Sequence, residues 1–145
     1  MKHNFKEIEF KSNDWIQSVA LRYEILRKPL NLHLNSLDLF KETDERVFGI
    51  FMGEFLVSSA NCVLLENCVK IRQVATHGKY QSLGIGTSLI TNIEKKIQNM
   101  GIFRIEMNAR KTSLDFYLKL GYCTIGNEFI EVGIPHYKIY KDFSS

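Results

Sequence analysis

Between residues 68 and 108 the chain runs from an apolar stretch, CVKIRQVAT, through HGKYQS and a pair of glycines into a long amphipathic segment. It then emerges in a second apolar stretch, IFRIEMNA. The order is strand, turn, helix, strand, and a crossover of that kind brings its two strands together in parallel, with a right-handed connection expected. The helix is well marked. Leu89, Ile90, Ile93, Ile97 and Met100 of TSLITNIEKKIQNM fall on one stripe, Glu94, Lys95 and Lys96 fall off it, and Gly101 stands where a helix-ending glycine belongs. This unit commits the chain to an α/β layout.

The flanking segments add strands that cannot all be parallel. HNFKEIEF alternates as a first strand. SNDWIQSVALRYEILRK follows as a helix with Ser12, Asn13 or Asp14 at its N-cap; Trp15, Val19, Leu26 and either Tyr23 or Arg22 recur at helical spacing. Pro29 should stop it. PLNLHLNSLDLFKETD reads as loop with room for a short second helix. VFGIFM and FLVSSANCVLL flank Met52-Gly53-Glu54 as a hairpin. After the crossover come a short helix, SLDFYLKL, and two strands, YCTIG and IPHYKIYKDF. The expectation is one domain, residues 1–145, built on a mixed sheet.

Composition narrows the function classes. With 19 Lys+Arg against 16 Asp+Glu the net charge is +3, which demands no nucleic-acid partner, and no interleaving of aromatic and basic residues suggests one. No apolar run reaches the roughly 18–20 residues of a membrane span. MKHNFKEIEF has no apolar core of a secretory signal, so the expected location is the cytoplasm. Cys62, Cys68 and Cys123 form no CxxC pair, which leaves no basis for a metal site or a disulfide framework; buried, reduced thiols are expected.

Two readings of QSLGIGTSLI stay open on the residues alone. Gly84 and Gly86 make a tight turn, or they leave backbone N–H groups bare at the positive end of the following helix, where a phosphate can sit. There is no GxxxxGK[ST] and no third glycine to complete GxGxxG, so the P-loop and the Rossmann fingerprint are both absent.

QVATHGKYQSLGIGTSLI resembles the acetyl-CoA-binding motif of the GNAT N-acetyltransferases, [Q/R]xxGx[G/A] after a strand, with Gln81, Gly84 and Gly86 filling it. MNARKTSLDFYLKLGY resembles the second signature of that family, and EFIEVGIPHYKIYKDF the tail of the bacterial branch that includes YjcF and ElaA. The likeness covers roughly residues 45–143. It implies a mixed, largely antiparallel sheet of six to seven strands with about four helices, and acetyl transfer from acetyl-CoA to a primary amine, without a metal. It further implies that Val74, Ala75 and Thr76 contact the acetyl and pantetheine groups, with the Val74 N–H polarising the thioester carbonyl. Gln81, Ser82, Leu83, Gly84, Ile85, Gly86 and Thr87 would wrap the pyrophosphate, Asn108 would bind the pantetheine arm, and Tyr117 would give a proton to the departing thiolate. Tyr117 also fits a simpler role as a core aromatic beside Phe116.

The acceptor side is less marked. Glu106 on a strand and His136 after Pro135 are candidate bases; each also fits a plainer role, as a surface charge or a histidine bonded to a nearby loop, and the resemblance implies that Glu128, Glu131 and His136 lie in the segment closing the acceptor side. Arg22 and Arg27 suit an acidic acceptor or a solvated helix face. A non-catalytic CoA-binding or sensing domain is the alternative function, and a homodimer is compatible with either. Fold does not choose the amine.

Overall fold

The structure is a computed structural model that describes residues 2–33 and 39–144. Seven strands form one sheet: β1 (Asn4–Ile8), β2 (Arg46–Met52), β3 (Phe55–Leu64), β4 (Val69–Thr76), β5 (Arg104–Arg110), β6 (Cys123–Glu131) and β7 (Ile134–Asp142). Their order is β1-β2-β3-β4-β5-β7-β6. β4 and β5 are parallel, as the crossover requires, and the other neighbours are antiparallel.

The α-helices are α1 (Asn13–Arg22), α2 (Ile85–Asn99) and α3 (Leu114–Lys119). The described residues therefore hold three α-helices where about four were expected. In the stretch read as loop with a short second helix, Leu39–Asp44 forms a 3₁₀ segment, and residues 34–38 lie outside the described residues. α1 starts where the sequence places it, with Ser12 Oγ accepting from the Trp15 N–H at 3.2 Å. It loses regular α geometry before Pro29. Tyr23–Arg27 is a π-helical turn and Lys28–Leu30, which contains the proline, a 3₁₀ turn. Such departures reorient side chains, and π turns recur at functional sites.

Adjacent residues of a strand point to opposite faces, and the core divides accordingly. Phe48, Ile50 and Val57 join Leu89, Ile90, Ile93 and Ile97 on the α2 face. Val47, Phe51 and Leu56 join Leu21 and Leu26 on the α1 face. Two positions of α2 depart from expectation. Met100 is exposed at the helix end, and Glu94 is buried, where it accepts from Tyr122 Oη at 2.8 Å and pairs with Lys141 Nζ at 3.3 Å. A buried carboxylate needs such partners, and both come from residues distant in sequence. No helix among the described residues is long and apolar enough to cross a membrane.

The cysteines correct a further expectation. Only Cys62 is fully buried; Cys68 is half-buried and Cys123 exposed on β6. Burial pushes the Cys62 thiol up to about 12, which removes its thiolate near neutral pH. In native protein a thiol reagent should modify Cys123 first and Cys68 more slowly, with Cys62 reacting only on unfolding. Fast labelling of Cys62 in folded protein would contradict that packing.

Candidate active site

The sheet opens where β4 and β5 part. Their pairing runs through Val69↔Ile105, Lys70↔Glu106 and Ile71↔Met107 and then stops, while β4 stays paired to β3 as far as Thr76. The β4 backbone beyond Ile71 therefore has no strand partner on its β5 side. In the same stretch the β3–β4 register jumps: Arg72 faces Asn61 and Ala75 faces Ser59, so Gln73 and Val74 form a bulge. Gln73 takes φ +53°, a left-handed conformation that a non-glycine residue seldom adopts, and such strain concentrates at functional sites. The V-shaped opening is the heart of a cleft of about 790 Å³.

One wall of the cleft is the start of α2. Ser82, Gly84, Gly86 and Thr87 line it, and Gln81 Nε2 donates to the Thr76 carbonyl at 3.0 Å, tying the loop to the end of β4. The two glycines differ. Gly84 is the N-cap at φ +80° with open space around its Cβ position, so conformation requires it. Gly86 is helical, and a Cβ there would fit in ordinary contact 3.4 Å from Phe116 Cζ and 3.8 Å from Thr76 Oγ1, so neither conformation nor its protein neighbours require the glycine. The helix therefore presents its free N–H groups to the cleft without side chains in front of them, a seat that suits a phosphate.

Tyr117 lies deeper. It is 5% exposed, lines the cleft, and packs edge-on against Phe116 at 5.0 Å and Tyr122 at 5.9 Å. Its hydroxyl has no hydrogen-bond partner among the described residues. Desolvation raises its pKa, so it stays a phenol and can only give a proton. The plainer reading of Tyr117 as a core aromatic is also satisfied, since it belongs to the α2-face core.

The opposite wall comes from β5, the β6–β7 hairpin and the turns after α1. Asn108 Nδ2 donates to Glu131 Oε1 at 3.1 Å, and Glu131 Oε2 lies 3.5 Å from His136 Nε2. His136 is buried and stacked on Phe129, with Nδ1 2.9 Å from the Ile134 carbonyl. A carbonyl only accepts, so Nδ1 carries a proton there, and Nε2 is the ring nitrogen turned toward Glu131. Gln73, Arg27 and Arg110 complete this wall.

A sequence profile of the acetyltransferase (GNAT) domain matches residues 35–143. The chain belongs to the GNAT acetyltransferases. It is 29% identical over 137 residues to the uncharacterised N-acetyltransferase YitI of Bacillus subtilis, covering 86% of this chain and 91% of that one. It is 25% identical over 124 residues to the uncharacterised N-acetyltransferase YjcF of the same organism, covering 84% and 88%. Among solved structures, Escherichia coli ElaA superposes with a TM-score of 0.80 at 16% identity, covering 97% of this chain and all of that one. The protein is an N-acetyltransferase, with acetyl-CoA as its co-substrate. No cluster of His, Cys, Asp or Glu among the described residues could hold a metal ion.

Within this GNAT fold several expected site residues lie elsewhere. Glu106 does not line the cleft; it takes hydrogen bonds or ion pairs from Arg104 at 3.0 Å and Lys138 at 3.6 Å, and the Arg104 bond holds its carboxyl below the usual range. A carboxylate so neutralised is a poor base. Leu83 is 67% exposed and Ile85 is buried in the α2-face core, so neither side chain faces the cleft. Arg22 is neither solvated nor in the cleft. It is 0% exposed, and its guanidinium donates to both carboxylate oxygens of Glu42 at 2.7 and 2.9 Å. It also donates to Gln73 Oε1 at 3.4 Å, so Arg22 supports the bulge from behind. Glu128 is tied to Lys111 at 2.9 Å, outside the cleft.

The cleft also holds residues that sequence reasoning passed over, namely Gln73 and Arg110. No motif marks them. Gln73 carries the only available signal, since it directly precedes the Val74 of the expected carbonyl-polarising peptide.

Proposed function

We propose that the enzyme moves an acetyl group to a primary amine by direct transfer, with both substrates in the cleft at once. The observation that carries this reading is a cleft reached from both faces of one parted strand pair: the α2 start on one side, Glu131 and His136 on the other. Two solved structures of this fold were determined with coenzyme A: PaiA N-acetyltransferase from Thermoplasma acidophilum (TM-score 0.77) and an aminoglycoside 6'-N-acetyltransferase (TM-score 0.79). In this chain the N–H groups around Gly84 and Gly86 would take the pyrophosphate, and Val74, Ala75, Thr76 and Asn108 the pantetheine arm.

The thioester supplies the activated acetyl group. As the amine attacks, a C–N bond forms, the C–S bond breaks, and the amine gives up a proton while the thiolate gains one. The Val74 N–H at the bulge would stabilise charge on the carbonyl oxygen. His136 Nε2, oriented through its Nδ1 bond and adjoining Glu131, is the group suited to take the amine proton. Tyr117 gives a proton to sulfur, and its lack of a protein partner leaves the hydroxyl available.

Tyr117→Phe tests the assignment, because the ring and its packing survive. Turnover should fall about 100-fold, while the acetyl-CoA-induced rise in Tm and the Tm of the free protein stay near wild type. Wild-type turnover in this variant would remove Tyr117 from the chemistry.

A further inference from the structure

The cleft wall opposite the α2 start contains cations that nothing in the acetyl-transfer machinery explains. Arg27 lines the cleft, its guanidinium makes no hydrogen bond or ion pair to another described residue, and its Nε is buried without a partner. Arg110 lines the same wall and spends one nitrogen on the Leu26 carbonyl at 2.9 Å, which fixes its guanidinium beside the turn that carries Arg27. Gln73 also faces the cleft. Its Oε1 is held by Arg22, and its Nε2 is buried without a partner.

Arg27 and Arg110 are half-buried, and partly desolvated cations and buried donors without a partner are stabilised when an anion completes them. Desolvation lowers the pKa of both arginines, and Arg27 is further disfavoured by its neighbours Arg110, Arg72 and Arg22. Arg72 is already neutralised by Glu45 at 3.1 Å. The one carboxylate whose charge both arginines feel is Glu131, and that group is engaged by Asn108 and His136. The phosphates of coenzyme A are not the missing anion in this arrangement. Their seat at the start of α2 belongs to the α2 face, whereas Arg110 reaches to Leu26, which packs on the α1 face.

We propose that Arg27 and Arg110, with the Gln73 amide, form a carboxylate clamp, and that the acceptor is a small molecule bearing a carboxylate besides its amine. This rests on the acetyl-transfer reading above. Arginine is the side chain suited to the task, since its planar fork matches a carboxylate at two points. Glu131 and His136 next to the clamp then face the amine end of the same molecule, so the wall offers cations to one end and an anion to the other.

Arg27→Met is the informative variant, because Arg27 has no protein partner whose loss would unfold the chain. Acetyl transfer is measured as free thiol released, across L-amino acids and the amines left when their carboxylate is removed. In each pair that reacts, the amino acid should be the better acceptor by 10-fold or more in kcat/KM. Arg27→Met should raise KM for it at least 10-fold with a smaller change in kcat, and should not lower the Tm or the acetyl-CoA-induced rise in Tm. In parallel, glutarate and inorganic phosphate are titrated calorimetrically into the CoA-loaded protein, which needs no chemistry. Glutarate should bind wild type and bind Arg27→Met at least 10-fold more weakly. If glutarate fails to bind, or binds both proteins equally, the clamp is overturned, and a retained acetyl-CoA response leaves the transfer reading standing. Phosphate binding more tightly than glutarate, with the same loss in the variant, would overturn the carboxylate in favour of a phosphorylated acceptor. Arg27-dependent glutarate binding without acetylation of any amine would support the clamp and overturn the transfer reading.

Discussion

Replacing Glu42 with alanine should destabilise the protein by about 3–5 kcal/mol, the usual cost of leaving one partner of a buried ion pair uncompensated. For a chain of this length that corresponds to a fall in Tm of roughly 10–15 °C. Arg22 and Glu42 are both shielded from solvent, and the contact is bidentate, with Trp15 Nε1 donating a further bond to the same carboxylate at 3.0 Å. Without the carboxylate, a desolvated guanidinium would keep only the Ser18 carbonyl and hydroxyl and the Gln73 amide oxygen. Glu42→Gln, which keeps an acceptor oxygen, should lose less than half as much. Thermal melts of the two variants decide the matter, and a Glu42→Ala protein melting within about 3 °C of wild type would show that the pair contributes little. The same change should loosen the bulge, because Arg22 holds Gln73 there.

Gly84→Glu should abolish the stabilisation of the protein by acetyl-CoA, with affinity weakened about 100-fold or more, equivalent to roughly 3 kcal/mol. Two effects combine. A carboxylate at the N-cap occupies the place where the free N–H groups of α2 await a negative charge, so it both repels and displaces a phosphate. The φ of +80° also strains any side chain with a Cβ, and a non-glycine residue there costs about 1–2 kcal/mol of fold stability. Asparagine tolerates left-handed φ best among the others, so Gly84→Asn separates the two contributions: it should fold near normally and keep most of the acetyl-CoA response. The readout is the ligand-induced change in Tm for each variant. A full response in Gly84→Glu would take this loop out of the cofactor seat.

Elements that depend on short-range pattern were legible in the sequence. The apolar stripe of α2, the glycine turn before it and an N-cap among Ser12, Asn13 and Asp14 all rest on spacing within a few residues, and the structure keeps them, with Ser12 as the cap. The exceptions follow from contacts the chain makes at long range. Glu94 is buried because Lys141 and Tyr122 reach it from distant segments, and Met100 is exposed because the helix ends there. Arg22 fell on the apolar stripe of α1, yet its charge argued for solvent; only Glu42, twenty positions away, makes its burial affordable in free energy.

The sequence by itself determined the α/β crossover and the glycine turn before α2, because period, glycine placement and capping act locally and are written in consecutive residues. The tertiary structure alone decided where β4 leaves β5, how Gln73 is forced into its bulge, and which of the many charged residues face the cleft. Those outcomes depend on strand register and on pairing between residues dozens of positions apart. That is why Arg27 and Arg110 meet on one wall while Arg22 disappears behind it.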